Sequence, residues 1–350
     1  MRFLQNRFGT GEVYEIGEVK KPIFATSSAC MSVYSDFLSW ANTQPMATFH
    51  NRHVANSIIV LSCQVTDLAI LNDLWTLEKY NRCKNVDLYI GGCLAYRFDI
   101  PLPAKRLLRT CCDYQPIVHT SSLVYFEKPF WVPNFDEGGW SRPPDSLLST
   151  CKPKSGHLFR RHYPLRIGVG CSKSCSYCTI NATRGDAYEL DTSRLVNEFV
   201  NARDPVLLIA DSPSAKQLLE WIEVAKSQKK SISIRNVEPQ VARKIWNELL
   251  ELSEMKLLHT FHCPVQANSE LVLRDMGRNV DDTFYIINHV DEFHPSTFTA
   301  TNIIVDYKNF SNQHVDKVYQ MFDYVSWNPF WDGVWDRDVA ERRYRRYFGT

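Results

Sequence analysis

The sequence predicts two successive α/β domains, each built on a parallel sheet, the second of them a partial (β/α)6 barrel. Three observations predict it. Apolar, β-branched runs of strand length alternate with amphipathic helical stretches along the chain. The alternation falls into two blocks separated by a stretch rich in Pro and Gly. In both blocks cysteines follow strand candidates directly, at the carboxyl edge where parallel sheets gather reactive groups.

The first block, 1–128, has strand candidates at 22–28, 57–62 and 86–90 and helical patterns at 34–41 and 68–80. In the second helix Leu68, Leu71, Leu74 and Leu77 recur at helical spacing. Strand–helix–strand alternation calls for parallel pairing through right-handed crossovers. Cys30, Cys63 and Cys93 close the three strand runs. Three thiolates delivered to one sheet edge form a candidate metal site; the alternative is three buried structural cysteines.

A connector, 129–160, carries Pro129, Pro133, Gly138, Gly139, Pro143 and Pro144, a composition that marks a domain boundary. Charge is lopsided from here on. Between Asp145 and Asp186 there is no acidic residue, whereas Lys152, Lys154, Arg160, Arg161, Arg166, Lys173 and Arg184 are all present. Such a basic collar suits RNA phosphates or a cofactor carboxylate, or else it is a solvated loop whose acidic partners lie elsewhere.

In the second block, 161–330, strand candidates are 165–169, 206–210, 231–235, 257–262, 299–305 and 324–327. Helical patterns lie at 194–202, 215–227, 241–252, 269–276, 281–292 and 313–322. Six such units, without the two more that close a full barrel, give an open one with its site at the strands' carboxyl ends. Directly after the first strand comes a CxxxCxxC run holding Cys171, Cys175 and Cys178, with Tyr177 just before the last cysteine. Three thiolates on one loop hold three irons of a cubane cluster and leave a fourth iron open for chemistry. A zinc knuckle is the rival reading. It normally adds a second cysteine pair or histidines downstream, and none follows here. The tail, 331–350, interleaves arginines with Tyr344 and Tyr347, a pattern for tracking a phosphate backbone or for a solvated amphipathic helix end.

Composition narrows the class. A 44% hydrophobic content suffices for a core, and a net charge of +1 excludes a globally basic nucleic-acid binder, so RNA contact must come from local patches. Eleven cysteines with no apolar leader point to metal or redox chemistry in a reducing, cytoplasmic compartment. The aliphatic runs are too short to span a bilayer, so no membrane role is expected.

The motifs also carry a family resemblance, covering roughly 22–330. The CxxxCxxC loop resembles the cluster loop of the radical S-adenosylmethionine (SAM) enzymes. Ser62–Ala69 is similar to the CxVTxxA segment of the methylthiotransferases among them, and Gly91–Arg97 to their GGCxAxR segment. Asp36 matches the segment around Cys30, where Val33 replaces the family's asparagine. Thr183-Arg184-Gly185 falls at the family's TRG, His262–Ser269 resembles HxPxQSGS with Ala267 and Asn268 as departures, and the segment from Arg235 to Pro239 resembles a strand-end motif. The glycine-rich segment before the third core helix instead contains Asp211 and Ser212, and the GFPGE loop reads Asp306–Ser311.

This resemblance implies two 4Fe-4S clusters. One, on Cys171, Cys175 and Cys178, would bind SAM and reduce it to a 5′-deoxyadenosyl radical. The other, on Cys30, Cys63 and Cys93, would supply sulfur. It implies SAM contacts at Tyr177, Arg235 and Gln266, a substrate contact at Arg184, and a flavodoxin or ferredoxin as electron donor. Where the glycine-rich segment departs, Asp211 and Ser212 are the candidate acceptor for SAM's ammonium and its hydroxyl partner. Arg160 and Arg161 of the basic collar are candidate substrate contacts. The implied reaction is methylthiolation at C2 of a modified adenosine beside a tRNA anticodon. Two alternatives are a protein side chain such as a ribosomal-protein aspartate, or a non-catalytic iron–sulfur or zinc relative. With the chain ending at Thr350, no carboxyl-terminal RNA-gripping (TRAM) domain is expected in it.

Overall fold

A computed structural model describes residues 13–14, 23–27, 56–64, 66–107, 126–127, 162–308 and 315–348. The chain divides into two compact units that are not consecutive in sequence. The first takes Met1–Val132, Thr179–Gly185 and Trp331–Thr350; the second takes Pro133–Cys178 and Asp186–Phe330. Thus the segment just after Cys178, and the 331–350 stretch read above as a tail, group with the first unit.

The first unit is a six-stranded parallel sheet. Its strands are β1 (Val13–Tyr14), β2 (Ile23–Ser27), β3 (Ser57–Ser62), β4 (Asp87–Gly92), β5 (Lys105–Leu107) and β6 (Phe126–Glu127), in the order β1-β5-β4-β3-β2-β6. The sequence foretold β2, β3 and β4; the other three are two or three residues long, too short to show a period. All six residues of β3 are buried, as befits a central parallel strand covered on both faces. Helix α1 (Asp67–Tyr80) follows, opened by Thr66, whose Oγ1 accepts from the Ala69 amide at 3.1 Å. Its Ile70, Leu74 and Leu77 pack with Ile58, Val60, Leu88 and Ile90 in one core that also takes in Trp331. The predicted helix at 34–41 lies outside the described residues.

The second unit has its own six-stranded parallel sheet, made of β7 (Tyr163–Arg166), β10 (Val206–Ile209), β11 (Ile232–Ile234), β12 (Leu258–His262), β13 (Phe298–Val305) and β14 (Tyr324–Pro329). Each strand adds beside its predecessor, so right-handed crossovers place the helices on one side. Between β7 and β10 a short antiparallel ribbon pairs β8 (Gly168–Val169) with β9 (Tyr188–Glu189). The single strand predicted over 165–169 is therefore two, because the chain leaves the sheet at Ile167 to form the ribbon.

Short helix α2 (Ile180–Arg184) belongs to the first unit; α3 (Thr192–Asn201), α4 (Ala215–Gln228), α5 (Pro239–Lys244), α6 (Trp246–Glu254), α7 (Glu270–Asp275), α8 (Val280–His289) and α9 (Asp316–Met321) cover the second sheet. The predicted helix over 241–252 is split, since Ile245 turns out of the helical region at φ −119°, and Pro239 starts the first piece at a position where its missing N–H costs nothing. Trp246, Phe261 and Phe293 form an aromatic cluster behind the sheet, with ring centroids 4.9–6.0 Å apart. Last comes α10 (Arg337–Phe348), where the 331–350 tail was predicted; it packs on α1.

Candidate functional site

In the second unit the site grows from the end of β7. Buried Arg166 meets Asp211 at 3.2 Å, and the same carboxylate oxygen accepts from the Gly170 amide at 2.9 Å. Gly170 has φ +77°, a left-handed turn that suits glycine and sends the chain out into the cysteine loop. Within the loop the Cys171 sulfur accepts from the Lys173 amide at 3.4 Å, and the Cys178 amide donates to Cys175 O at 3.1 Å. Cys171 and Cys175 are half-buried and Cys178 is exposed. Among the described residues no three His, Cys, Asp or Glu side chains converge on one ion. A cubane asks for something wider, because each thiolate takes its own iron. Half-open sulfurs with a backbone amide aimed at one of them suit such a cluster's ligand shell.

The loop is clamped from behind. The Arg278 side chain, 3% exposed, pairs with Glu238 at 2.6 Å, donates to Pro264 O at 2.5 Å and reaches the Tyr177 hydroxyl at 3.4 Å. Glu238 also pairs with Lys173 at 3.3 Å, so this ion pair grips the cysteine loop on both sides of Cys175. Ser176 adds bonds to the end of α7, its amide donating to Met276 O and its hydroxyl to Asp275 O. Burial by itself lowers the Arg278 pKa, but the Glu238 carboxylate paired with it outweighs this and holds the guanidinium firmly protonated. Burial pushes the Tyr177 hydroxyl well above its usual range, so the phenol stays neutral. Lys173, Cys175, Glu238, Gln240, Arg278 and Asn279 help line a cleft of about 250 Å³ here.

Across the carboxyl ends of the strands runs a chain of hydrogen bonds. The Asn236 amide side chain donates to Ala210 O at 3.3 Å, its backbone N–H donates to His262 Nδ1 at 3.1 Å, and His262 Nε2 meets Asn302 Oδ1 at 3.2 Å. A backbone N–H can only donate, so Nδ1 accepts and the His262 proton sits on Nε2, facing Asn302. Burial, helped by nearby Arg235, lowers the His262 pKa to about 3. Between that value and the ordinary 6.5 the unfolded chain binds a proton that the folded one does not. The stability is therefore complete above about pH 6.5 and declines on acidification, by at most ~1.4 kcal/mol per pH unit. Denaturant melts of H262N should show a shallower decline between pH 6.5 and 4 than the unmodified chain.

Of the predicted SAM contacts, Gln266 sits beyond β12 in a left-handed conformation (φ +68°), bridged to β13 by its amide on Asn302 O and its carbonyl on the Ile304 amide. Arg235 and Ser212 are half-buried at the ends of β11 and β10. Asp211 anchors Gly170 and Arg166, and Tyr177 faces Arg278. Sequence reasoning missed Asn236, Glu238, Arg278 and Asn302. Only Glu238 carries a local signal, the acid preceding a proline helix start.

The first unit brings two of its three predicted cysteines together. β3 and β4 pair in register from Ser57↔Asp87 to Ser62↔Gly92, so Cys63 and Cys93 leave adjacent strands at matching positions. Buried Ser62 ties the two ends, donating to Gly91 O at 2.6 Å and accepting from the Leu94 amide at 3.2 Å. Gly92, at φ +83° and ψ −161°, adopts a turn essentially closed to other residues and swings Cys93 into a 3-10 turn. Asp73 of α1 accepts from the Cys63 amide at 2.7 Å, and burial pushes its carboxyl well above the usual range. Arg184, at the end of α2, points Nε at the Cys93 sulfur, 3.4 Å away. Cys30, Arg160 and Arg161 lie outside the described residues.

Comparison with known proteins agrees with this geometry. Residues 165–322 match the family model of the Radical SAM superfamily. The chain carries a Radical SAM domain. Over 334 residues it is 24% identical to a tRNA-2-methylthio-N(6)-dimethylallyladenosine synthase of Ehrlichia chaffeensis, covering 87% of this chain and 74% of that one. A ribosomal protein uS12 methylthiotransferase of Nitrosomonas europaea is 23% identical over 289 residues, 75% of this chain and 61% of the relative. A Staphylococcus aureus synthase of the first kind is 20% identical over 297 residues, 78% of this chain and 56% of its own length. Distant homology to methylthiotransferases thus extends over most of the chain, well beyond the Radical SAM domain. Radical SAM membership implies a 4Fe-4S cluster and SAM, for which the CxxxCxxC loop offers the ligands. Among the described residues no helix is long and apolar enough to cross a membrane.

Proposed function

We propose that the protein is a radical SAM methylthiotransferase acting on tRNA, at C2 of a modified adenosine beside the anticodon. The observation that carries this reading is the register-matched exit of Cys63 and Cys93 from neighbouring parallel strands, in a unit separate from the Radical SAM domain. Two sulfurs at one sheet edge, with Cys30 completing the set, are the ligands we assign to a second 4Fe-4S cluster. We read the open sheet of the second unit as the partial barrel, and the 129–160 stretch as the linker between domains.

When bound, the cluster on Cys171, Cys175 and Cys178 supplies the electron that cleaves SAM, delivered by a flavodoxin or ferredoxin. The chain's own residues orient and enclose. Arg166, Asp211 and Gly170 fix the loop's entry; Arg278, Glu238 and Lys173 fix its middle. Ser212, Arg235 and Gln266, at the strand ends, are the groups we assign to SAM's polar atoms, with Tyr177 closing the loop side. Arg184, Arg160 and Arg161 are assigned to the substrate.

Anaerobic reconstitution is expected to load about eight irons, four per site. Mass spectrometry of tRNA nucleosides from cells with and without the protein tests the substrate: 2-methylthioadenosine derivatives should vanish with it. An unchanged pool would sink the tRNA reading. The similarity to a uS12 methylthiotransferase supports a second reading, a ribosomal-protein side chain, which the same cells test by a mass change in that protein.

A further inference from the structure

We propose that Arg342, Arg345 and Arg346 of α10 form a docking surface for an RNA phosphate backbone at the cysteine edge of the first unit. This rests on the reading of tRNA as substrate. Helix α10 holds five arginines, and its packing separates them into two groups. Arg337 pairs with Glu78 through two bonds of 2.6 and 3.3 Å, and Arg343 meets buried Asp67 at 2.8 Å. Ala340 is fully buried and Tyr344 stands edge-on to Trp75, ring centroids 5.0 Å apart. These four residues set the rotation of the helix and leave Arg342, Arg345 and Arg346 exposed, at the i, i+3, i+4 spacing of one helix face. Glu341 pairs closely with Arg337 at 3.0 Å and only loosely with Arg345 at 3.7 Å, where the Arg345 side chain is 62% exposed.

Packing also decides where this charge lies. Arg337 meets the last turn of α1 and Arg343 its first, so the two helices run antiparallel. The basic end of α10 therefore sits over the start of α1, four residues beyond Cys63 and joined to it by the Asp73 bond to the Cys63 amide. Arg184 brings a further guanidinium to the same edge, at Cys93. A planar fork of donors matches a phosphate better than a lysine would, and several together release condensed counterions on binding. The rival explanation is that arginines here merely complement the helix dipole. That role favours the last turn alone and asks nothing of Arg342.

The test measures binding of the reconstituted chain to total tRNA, taken from cells lacking the protein, across a salt series. The R342Q/R345Q/R346Q variant should bind at least ~10-fold more weakly at low salt, with the slope of log K against log salt reduced by about two. It should keep its melting temperature, since Arg337 and Arg343 still hold the helix. A control variant neutralising exposed Lys216, Lys229 and Arg203 on the second unit should leave the slope unchanged. If the triple variant keeps the full slope while the unmodified chain binds tRNA, the surface is wrong and the tRNA reading stands. If the unmodified chain binds no tRNA but captures an isolated ribosomal protein, both fall.

Discussion

Replacing Arg278 with methionine should destabilise the Radical SAM unit by about 3–5 kcal/mol, the cost of stranding one partner of a buried ion pair. Glu238 is 13% exposed and keeps only Lys173 at 3.3 Å, which places the loss toward the lower end of that range. Pro264 O also loses its donor. Denaturant melts of the metal-free chain measure this. The R278M/E238Q double variant should recover part of the loss, because the two residues form one coupled pair. A second readout separates positioning from mere stability. Both side chains lie by Cys175, so with a cluster assembled R278M should lower its reduction potential and E238Q should raise it. Opposite signs in EPR-monitored titrations are expected; shifts of one sign would show that the pair acts only through folding.

Changing Cys171, Cys175 and Cys178 together to alanine should remove about four irons per chain and bring SAM cleavage to 5′-deoxyadenosine below detection. The metal-free fold should barely notice. The three side chains are half-buried or exposed on a loop whose anchors, Arg166, Asp211, Ser176 and Glu238, all remain. Stability within about 1 kcal/mol of the unmodified chain is therefore expected. The matching change at Cys30, Cys63 and Cys93 should remove the other four irons while leaving SAM cleavage in place. Loss of cleavage in that second variant, with its four irons retained, would refute the division of labour between the sites.

Much of this was legible from the chain alone. A run such as 57–62 reads as a buried strand, and Cys63 and Cys93 follow directly on β3 and β4. The helical spacing of Leu68, Leu71, Leu74 and Leu77 likewise placed α1. What failed did so for short range or long range alike. Strands of two or three residues leave no period, and Ile245 breaks a helix whose pattern runs on unbroken.

By itself, then, the sequence determined two parallel α/β sheets, a cysteine at the end of the strands that matter, and a loop spaced for a cubane. These are local properties, set by periodicity and by the few residues flanking each strand end. Only the tertiary structure decided which charges are buried in ion pairs and which are exposed. Arg278 is indistinguishable from Arg342 in the sequence, yet one is buried against Glu238 and the other faces solvent. Asn236, His262 and Asn302 become a single hydrogen-bonded row only when three strands lie side by side. Pairings of that kind join residues far apart in the chain, and no local pattern encodes a neighbour that arrives through folding.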